Sequence, residues 1–282
     1  MVEGIAEGIV EGVAEPAVLL EGVEFRFGTT TVLAGLDLAV AAGQQVAVIG
    51  PSGAGKTTLF RAIAAILKPH AGRILTLGQD TAQLSGRRLR QLRADVGLIY
   101  QNDNLIPQLR VVHNVLMGRL GQWSLPRALL SLLWPQELQR ARTALRKVEL
   151  EHRLWAMPGE LSGGQQQRVA IARLMLQQPR LMLADEPVSQ LDIRLGRDVI
   201  DLLATLSAAQ GATLMVNLHS LELLDTHFER VIALRAGRLL WDGPVADLDR
   251  QLLREIYGAE YRALELDAIA DRVAAGAAAG QS

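Results

Sequence analysis

Gly50-Pro51-Ser52-Gly53-Ala54-Gly55-Lys56-Thr57-Thr58 is the stretch on which the reading of this 282-residue chain turns. The apolar run from Gln45 to Ile49 before it reads as a buried strand, and Leu59 to Leu67 after it as a helix. Strand, glycine loop, then helix is the setting that a phosphate-binding loop requires. Glycines adopt backbone angles closed to other residues, so the chain can wrap closely around an anion. The wrapped N–H groups and the helix N-terminus direct positive charge at the phosphates. Lys56 has the reach for the β- and γ-phosphates, and the Thr57 hydroxyl is a ligand for Mg²⁺. An ordinary glycine-rich turn does not require Gly50, Gly55, Lys56 and Thr57 together at this spacing.

Composition narrows the function classes. Hydrophobic residues make up 49% of the chain, enough for a substantial core, and the net charge is −1. That balance leaves no global basic footprint for nucleic acid. With no cysteine, disulfides and thiolate metal sites are excluded, in keeping with a reducing cytoplasm. No apolar run approaches the ~18 residues of a membrane span. The N-terminus lacks the basic start and apolar centre of a signal peptide.

Outward from the loop, the chain changes texture several times. Residues 1–16 carry Glu3, Glu7, Glu11 and Glu15 at a four-residue repeat. Gly4, Gly8 and Gly12 cost a helix about 1 kcal/mol each relative to Ala, which favours a flexible extension. Ala17 to Phe27 and Thr31 to Val40 read as antiparallel strands around a turn at Gly28-Thr29-Thr30. Phe27, just before that turn, reads equally as a ring for stacking on adenine or as a strand-end core residue. Arg73 to Leu77 and Val96 to Tyr100 read as strands. Ser85 to Ala94 reads as a helix whose arginines 87, 88, 90 and 93 are read first as a solvated face, with contact to a membrane surface or nucleic acid as the alternative.

From about 105 to 160 strand signals vanish and three helical patterns take over, at 111–119, 126–133 and 136–148. This is read as a helical insertion whose tryptophans, at 123, 134 and 155, belong mostly to its core, though an exposed few would suit docking to a partner. Ser162 then opens a helix through Leu176 with Ser-Gly-Gly at its start, a good N-cap and also an anion site. Leu181 to Glu186 is a buried strand ending in two carboxylates, which are costly to bury without a cation or partner. The carboxyl end of a parallel strand is where open α/β sheets place ligands. A helix at 199–206, a strand at 213–218 ending at His219, a hairpin around Ala236-Gly237 and a helix at 246–257 follow. A lone histidine is usually structural, but His219 directly follows a buried strand on the same sheet edge. The Ala-rich tail is read as frayed.

These motifs together make the chain resemble the nucleotide-binding subunit of an ABC transporter, over about residues 17–257. The resemblance is carried by the loop at 50–58, by Gln101 and by Leu161-Ser162-Gly163-Gly164-Gln165. It is carried also by Asp185-Glu186, by Ser189-Gln190-Leu191-Asp192 and by His219. Gln190 departs from the family, which more often has a small residue there. The implied fold is α/β: a P-loop NTPase (RecA-like) core, an antiparallel β-subdomain and a helical insertion at about 105–160. Residues 1–16 would be an extension and 258–282 a tail.

The family implies ATP and Mg²⁺ as cofactors and a second copy of the chain, facing the first head to tail. Ser162, Gly163, Gly164 and Gln165 of one copy would close on the γ-phosphate held by Lys56 of the other, with Asp192 in the dimer loop. Thr57, Gln101 and Asp185 would hold Mg²⁺. Glu186 would be the general base, His219 and Gln101 would complete the catalytic set, and Phe27 would stack on adenine. The closest resemblance within the family is to phosphonate importer ATPases. It is carried by Asn104-Leu105-Ile106-Pro107, Asn114 to Gly121, Trp134-Pro135, Val216-Asn217-Leu218-His219 and Asp242-Gly243-Pro244. The implied function is ATP hydrolysis energising import of phosphonate or a related oxyanion such as phosphite or phosphate. An ATPase for another cargo, such as polar amino acids or lipoproteins, is the alternative. Partners would be integral-membrane permease subunits and a periplasmic or lipid-anchored binding protein, with no nucleic acid. The chain would sit peripherally on the cytoplasmic face of the bacterial inner membrane.

Overall fold

The computed structural model describes residues 15–100, 105–189, 191–224 and 227–263. Gln101 and Gln190, nearly all of the extension at 1–16 and the tail beyond 263 lie outside the described residues.

Two sheets organise the fold. Strands β1 (Pro16–Phe27) and β2 (Thr30–Ala41) form an antiparallel hairpin, closed by a turn in which Gly28 has φ +59. β4 (Ala71–Thr76) and the short β5 (Gln79–Asp80) complete a four-stranded sheet in the order β2-β1-β4-β5. The second sheet is built from β3 (Gln45–Ile49), β6 (Val96–Ile99), β7 (Leu181–Asp185) and β8 (Thr213–Asn217), with β9 (Arg230–Arg235) and β10 (Arg238–Pro244). Its order is β10-β9-β3-β8-β7-β6, parallel except for the antiparallel edge strand β10.

The parallel strands are apolar throughout because both of their faces are covered. Val46 and Val48 join one core with Phe25, Leu33, Leu59, Phe60 and Leu92. Ala47 and Ile49 join another with Ile171, Ile200, Leu203 and Leu253. The first core lies between the two sheets and holds α1 (Lys56–Ile63) and α2 (Gly86–Asp95). The second packs α6 (Gly163–Gln177), α7 (Ile193–Gln210) and α8 (Arg250–Tyr257) on the opposite face, with the short α9 (Glu260–Ala263) following. A third core lies in the helical region, between α3 (Val111–Leu116) and α5 (Leu138–Lys147), while α4 (Leu125–Leu133) adds no residue to it. It reaches beyond residue 160 into α6 through Val169, Ala172 and Leu176.

Several elements differ from the sequence reading. α1 begins at Lys56 and ends at Ile63 rather than running from 59 to 67, because Ala65 turns into the left-handed region at φ +54. α7 is far longer than 199–206, since Asp192 caps its start and Gly211, at φ +60, ends it. The tryptophans of the helical region are not mainly core. Trp134 is 75% exposed, Trp155 is 44% exposed and Trp123 is half-buried. The interior there is filled by aliphatic side chains such as Val111, Val115, Leu145 and Leu154, with Trp123 packed against its rim. The arginines of α2 are exposed, in keeping with a solvated face. No helix among the described residues is long and apolar enough to cross a membrane.

Candidate functional site

Three neighbouring strands, β3, β8 and β7, end on one edge of the large sheet. Their ends carry Gly50, Asn217 and Asp185 respectively. The phosphate loop and the acidic strand end therefore sit one strand apart, with β8 between them. The loop closes through three glycines in the left-handed half of backbone space, Gly50 at φ +143, Gly53 at φ +76 and Gly55 at φ +102. At two of them space is also lacking. A Cβ on Gly50 would lie 2.1 Å from the Leu234 carbonyl oxygen, and one on Gly55 would lie 2.6 Å from Leu33 Cδ2. These contacts tie the loop to β9 and to β2, and α1 starts directly from Gly55.

Lys56 is buried, 5% exposed, and its Nζ donates to the carbonyls of Gly50 (2.6 Å) and Pro51 (3.1 Å). Burial holds the ammonium below the usual lysine pKa, while the charges of Glu186, Asp185 and Glu260 oppose that shift. Lys56 is thus a desolvated cation facing acids, hydrogen-bonded for now to its own loop.

Asp185 is 4% exposed at the end of β7. Its Oδ1 accepts hydrogen bonds from the Thr57 hydroxyl at 3.2 Å and from the Asn217 amide at 2.6 Å. The next residue, Glu186, is half-buried and has φ +50. A non-glycine residue in that conformation stores strain, which surrounding structure must hold in place. Its N–H donates to the Asn217 carbonyl at 3.2 Å and its carbonyl accepts from Ser189 N–H at 3.4 Å. His219 is exposed just past the end of β8, where Leu218 N–H still donates to Val48 O at 3.0 Å.

The remaining residues picked out in the sequence lie around this centre. Phe27 is 53% exposed at the end of β1, so it is not a core residue. Ser162 forms a capping box with Gln165. The hydroxyl accepts from Gln165 N–H at 3.3 Å, and Gln165 Oε1 accepts from Ser162 N–H at 3.1 Å. Gly163 and Gly164 have Leu191 as their nearest neighbour, not the phosphate loop of the same chain. Asp192 caps α7 by accepting from Leu195 N–H at 2.9 Å. Asn217 was not among the site residues chosen from sequence. Its signal is an amide ending an otherwise apolar strand.

The hydroxyl of Thr57 and the carboxylate of Asp185 are hard oxygen donors of the kind Mg²⁺ takes. Among the described residues no group of three or more His, Asp or Glu side chains could enclose a metal alone. That suits an ion whose other ligands are phosphate oxygens and water, as is usual for Mg²⁺ in nucleotide sites. A groove of about 920 Å³ lies elsewhere, between α2, β6 and the helical region, lined by Arg87, Arg90, Tyr100, Trp123 and Arg173.

Comparison with known proteins agrees with this geometry. Residues 33–189 match the family model described as ABC transporter. The chain is 45% identical over 228 residues to the phosphonates import ATP-binding protein PhnC of Pseudomonas fluorescens, covering 81% of this chain and 86% of that one. It is 46% identical over 228 residues to phosphonates import ATP-binding protein PhnC 1 of Pseudomonas aeruginosa, covering 81% and 85%. Among solved structures it resembles the dimeric, post-hydrolysis state of the ATP-binding cassette MJ0796 bound to ADP and Pi. The TM-score there is 0.69 at 31% identity, covering 80% of this chain and 98% of that one.

Proposed function

The chain belongs to the ABC transporter family of ATP-binding proteins, and on that premise we propose that it hydrolyses ATP to energise import of phosphonate or a related phosphorus oxyanion. The observation that carries the enzymatic reading is the meeting of Thr57, at the start of α1, with Asp185 at 3.2 Å across the end of β8. Phosphoryl transfer needs positioning and charge neutralisation more than covalent chemistry, and this edge supplies both. The cargo is supported by relatives 43–46% identical whose names state phosphonate import.

In this reading the amides of Gly50–Thr58 hold the phosphates, and Lys56 leaves the Gly50 and Pro51 carbonyls for the β- and γ-phosphate oxygens. Thr57 and Asp185, joined by Gln101, hold Mg²⁺, which neutralises phosphate charge when bound. Glu186 accepts the proton of the attacking water as general base, its carboxylate aimed by the strained backbone. His219 meets the γ-phosphate from the end of β8, and Phe27 presents its exposed ring to adenine. Ser162, Gly163, Gly164 and Gln165 of a second copy cover the phosphates, and Asp192 sits at the dimer contact. The similar cassette MJ0796 is dimeric in its solved structures, and in this reading two copies of the chain work with membrane permease components. The exposed leucines of α4 and Trp134 just after it suit such a partner. The protein would then lie at the cytoplasmic face of the membrane, fed by a separate substrate-binding protein.

The test is ATPase activity of the chain reconstituted with a partner permease and binding protein. Methylphosphonate, phosphite, phosphate and a polar amino acid would be added separately. Stimulation by a phosphorus oxyanion is expected. Stimulation by the amino acid alone would discard the cargo and leave the ATPase reading standing.

A further inference from the structure

We infer that Asn217 is a positioning residue of the hydrolytic site, an amide that fixes the Asp185 carboxylate from the strand lying between the two halves of the site. The inference rests on the proposed role of Asp185 in holding the nucleotide's metal. Asn217 is the last residue of β8, paired in register with Asp185 on β7 and with Val48 on β3. It is fully buried, with 0% exposure. Its Nδ2 donates to Asp185 Oδ1 at 2.6 Å, the shorter of the two side-chain bonds that oxygen accepts. Both donors converge on one carboxylate oxygen, which pins the rotation of the carboxyl group and leaves its other oxygen for a cation.

A second observation separates this amide from an ordinary core residue. Its Oδ1 is buried and has no hydrogen-bond partner among the described residues. A buried amide with one end unpaired carries a desolvation penalty that the bond to Asp185 alone does not relieve. The arrangement makes sense at the carboxyl edge of β8, where the oxygen is available to a donor that arrives with the loaded site, such as a water molecule. The amide is oriented with its NH₂ end, the donor, toward the Asp185 carboxylate oxygen. The residue thus serves Asp185 through its side chain, and the Glu186 N–H through its backbone carbonyl.

Asn217→Leu keeps the volume and removes the donor. The measurements are kcat and KM per active site, with active sites counted by ADP titration, and the affinity of the ADP-loaded protein for Mn²⁺ by electron paramagnetic resonance. Loss of a partner that orients a metal-holding carboxylate costs about 10–100-fold in metal affinity or activity. We expect Mn²⁺ affinity and kcat to fall at least about ten-fold, with KM for ATP within about two-fold. Asn217→Thr retains a hydroxyl that can donate to Asp185, so it should recover most of the Mn²⁺ affinity. It also carries the test if the leucine variant fails to fold. A purely structural Asn217 would lower the thermal midpoint and the active fraction, leaving kcat per site and Mn²⁺ affinity unchanged; that result would overturn the inference. A threonine variant as weak for Mn²⁺ as the leucine variant would also count against it. If the unaltered protein bound no nucleotide, the reading of the site itself would fail instead.

Discussion

At the scale of single residues, the loop lysine shows what the site holds ready. Lys56 is desolvated, and its Nζ bonds two carbonyls of its own loop. A phosphate oxygen offers such an ammonium a charged partner in place of neutral ones, and bonds between charged groups are roughly twice as strong as neutral ones. Lys56→Ala should therefore weaken ATP binding by about ten-fold or more. Isothermal titration with ATP measures this, and unchanged affinity would remove Lys56 from the phosphate site. The glycine loop after β3 was legible in the sequence because its pattern is local: nine consecutive residues supply glycine conformations, cation and hydroxyl. Asn217 was not, because its meaning depends on β8 lying between β3 and β7, an order no local pattern states. The same holds for Glu186, whose identity was readable while its φ of +50 was not.

At the scale of elements, the helical region is held by a node that sequence gave no hint of. Glu137, in the left-handed region at φ +56, leads into α5. Its carboxylate accepts from Trp123 Nε1 at 3.3 Å and pairs with Arg119, Arg127 and Arg140 at 3.3, 2.7 and 3.0 Å. Partial burial pushes the Glu137 carboxyl upward, but Trp123 and the three arginines outweigh it and hold the pKa below the ordinary glutamate value. A lowered folded pKa contributes stability that is present above the unfolded value and is lost as pH falls through the folded one. Glu137→Gln should cost roughly 1–2 kcal/mol at neutral pH and flatten the acid limb of the stability curve just under the ordinary glutamate range. Urea unfolding at pH 7 and pH 4 checks both; equal acid sensitivity in variant and parent would contradict it. Most strands were legible, because alternating and continuous apolar runs state their burial directly. Helix ends were read less well. α1 stops at the left-handed Ala65, and α7 begins at a cap that its apolar periodicity does not mark.

At the scale of the whole molecule, the described residues leave one extended apolar surface open. Leu125, Leu129 and Leu133 of α4 are 75%, 64% and 83% exposed, beside Trp134 at 75%. A soluble monomer seldom exposes so continuous a patch without a partner for it. Leu129→Asp with Leu133→Asp should abolish co-purification with a permease while leaving ATP binding by the isolated chain unchanged. Retained co-purification would move the docking surface elsewhere. The sequence reading assigned the tryptophans of this region mainly to the core, because apolar residues at helical spacing look alike whether they face inward or outward.

In the proposed reaction, paired copies of this chain hydrolyse ATP with Glu186 as the base. The most direct measurement is the oligomeric state and turnover of Glu186→Gln with ATP and Mg²⁺, by light scattering and phosphate release. The amide keeps the shape of the site and cannot accept the proton of the attacking water. The account predicts retained ATP binding, a stable ATP-dependent dimer and phosphate release slowed by at least about 100-fold. A variant that stays monomeric with ATP bound, or that releases phosphate near the parent rate, would contradict it.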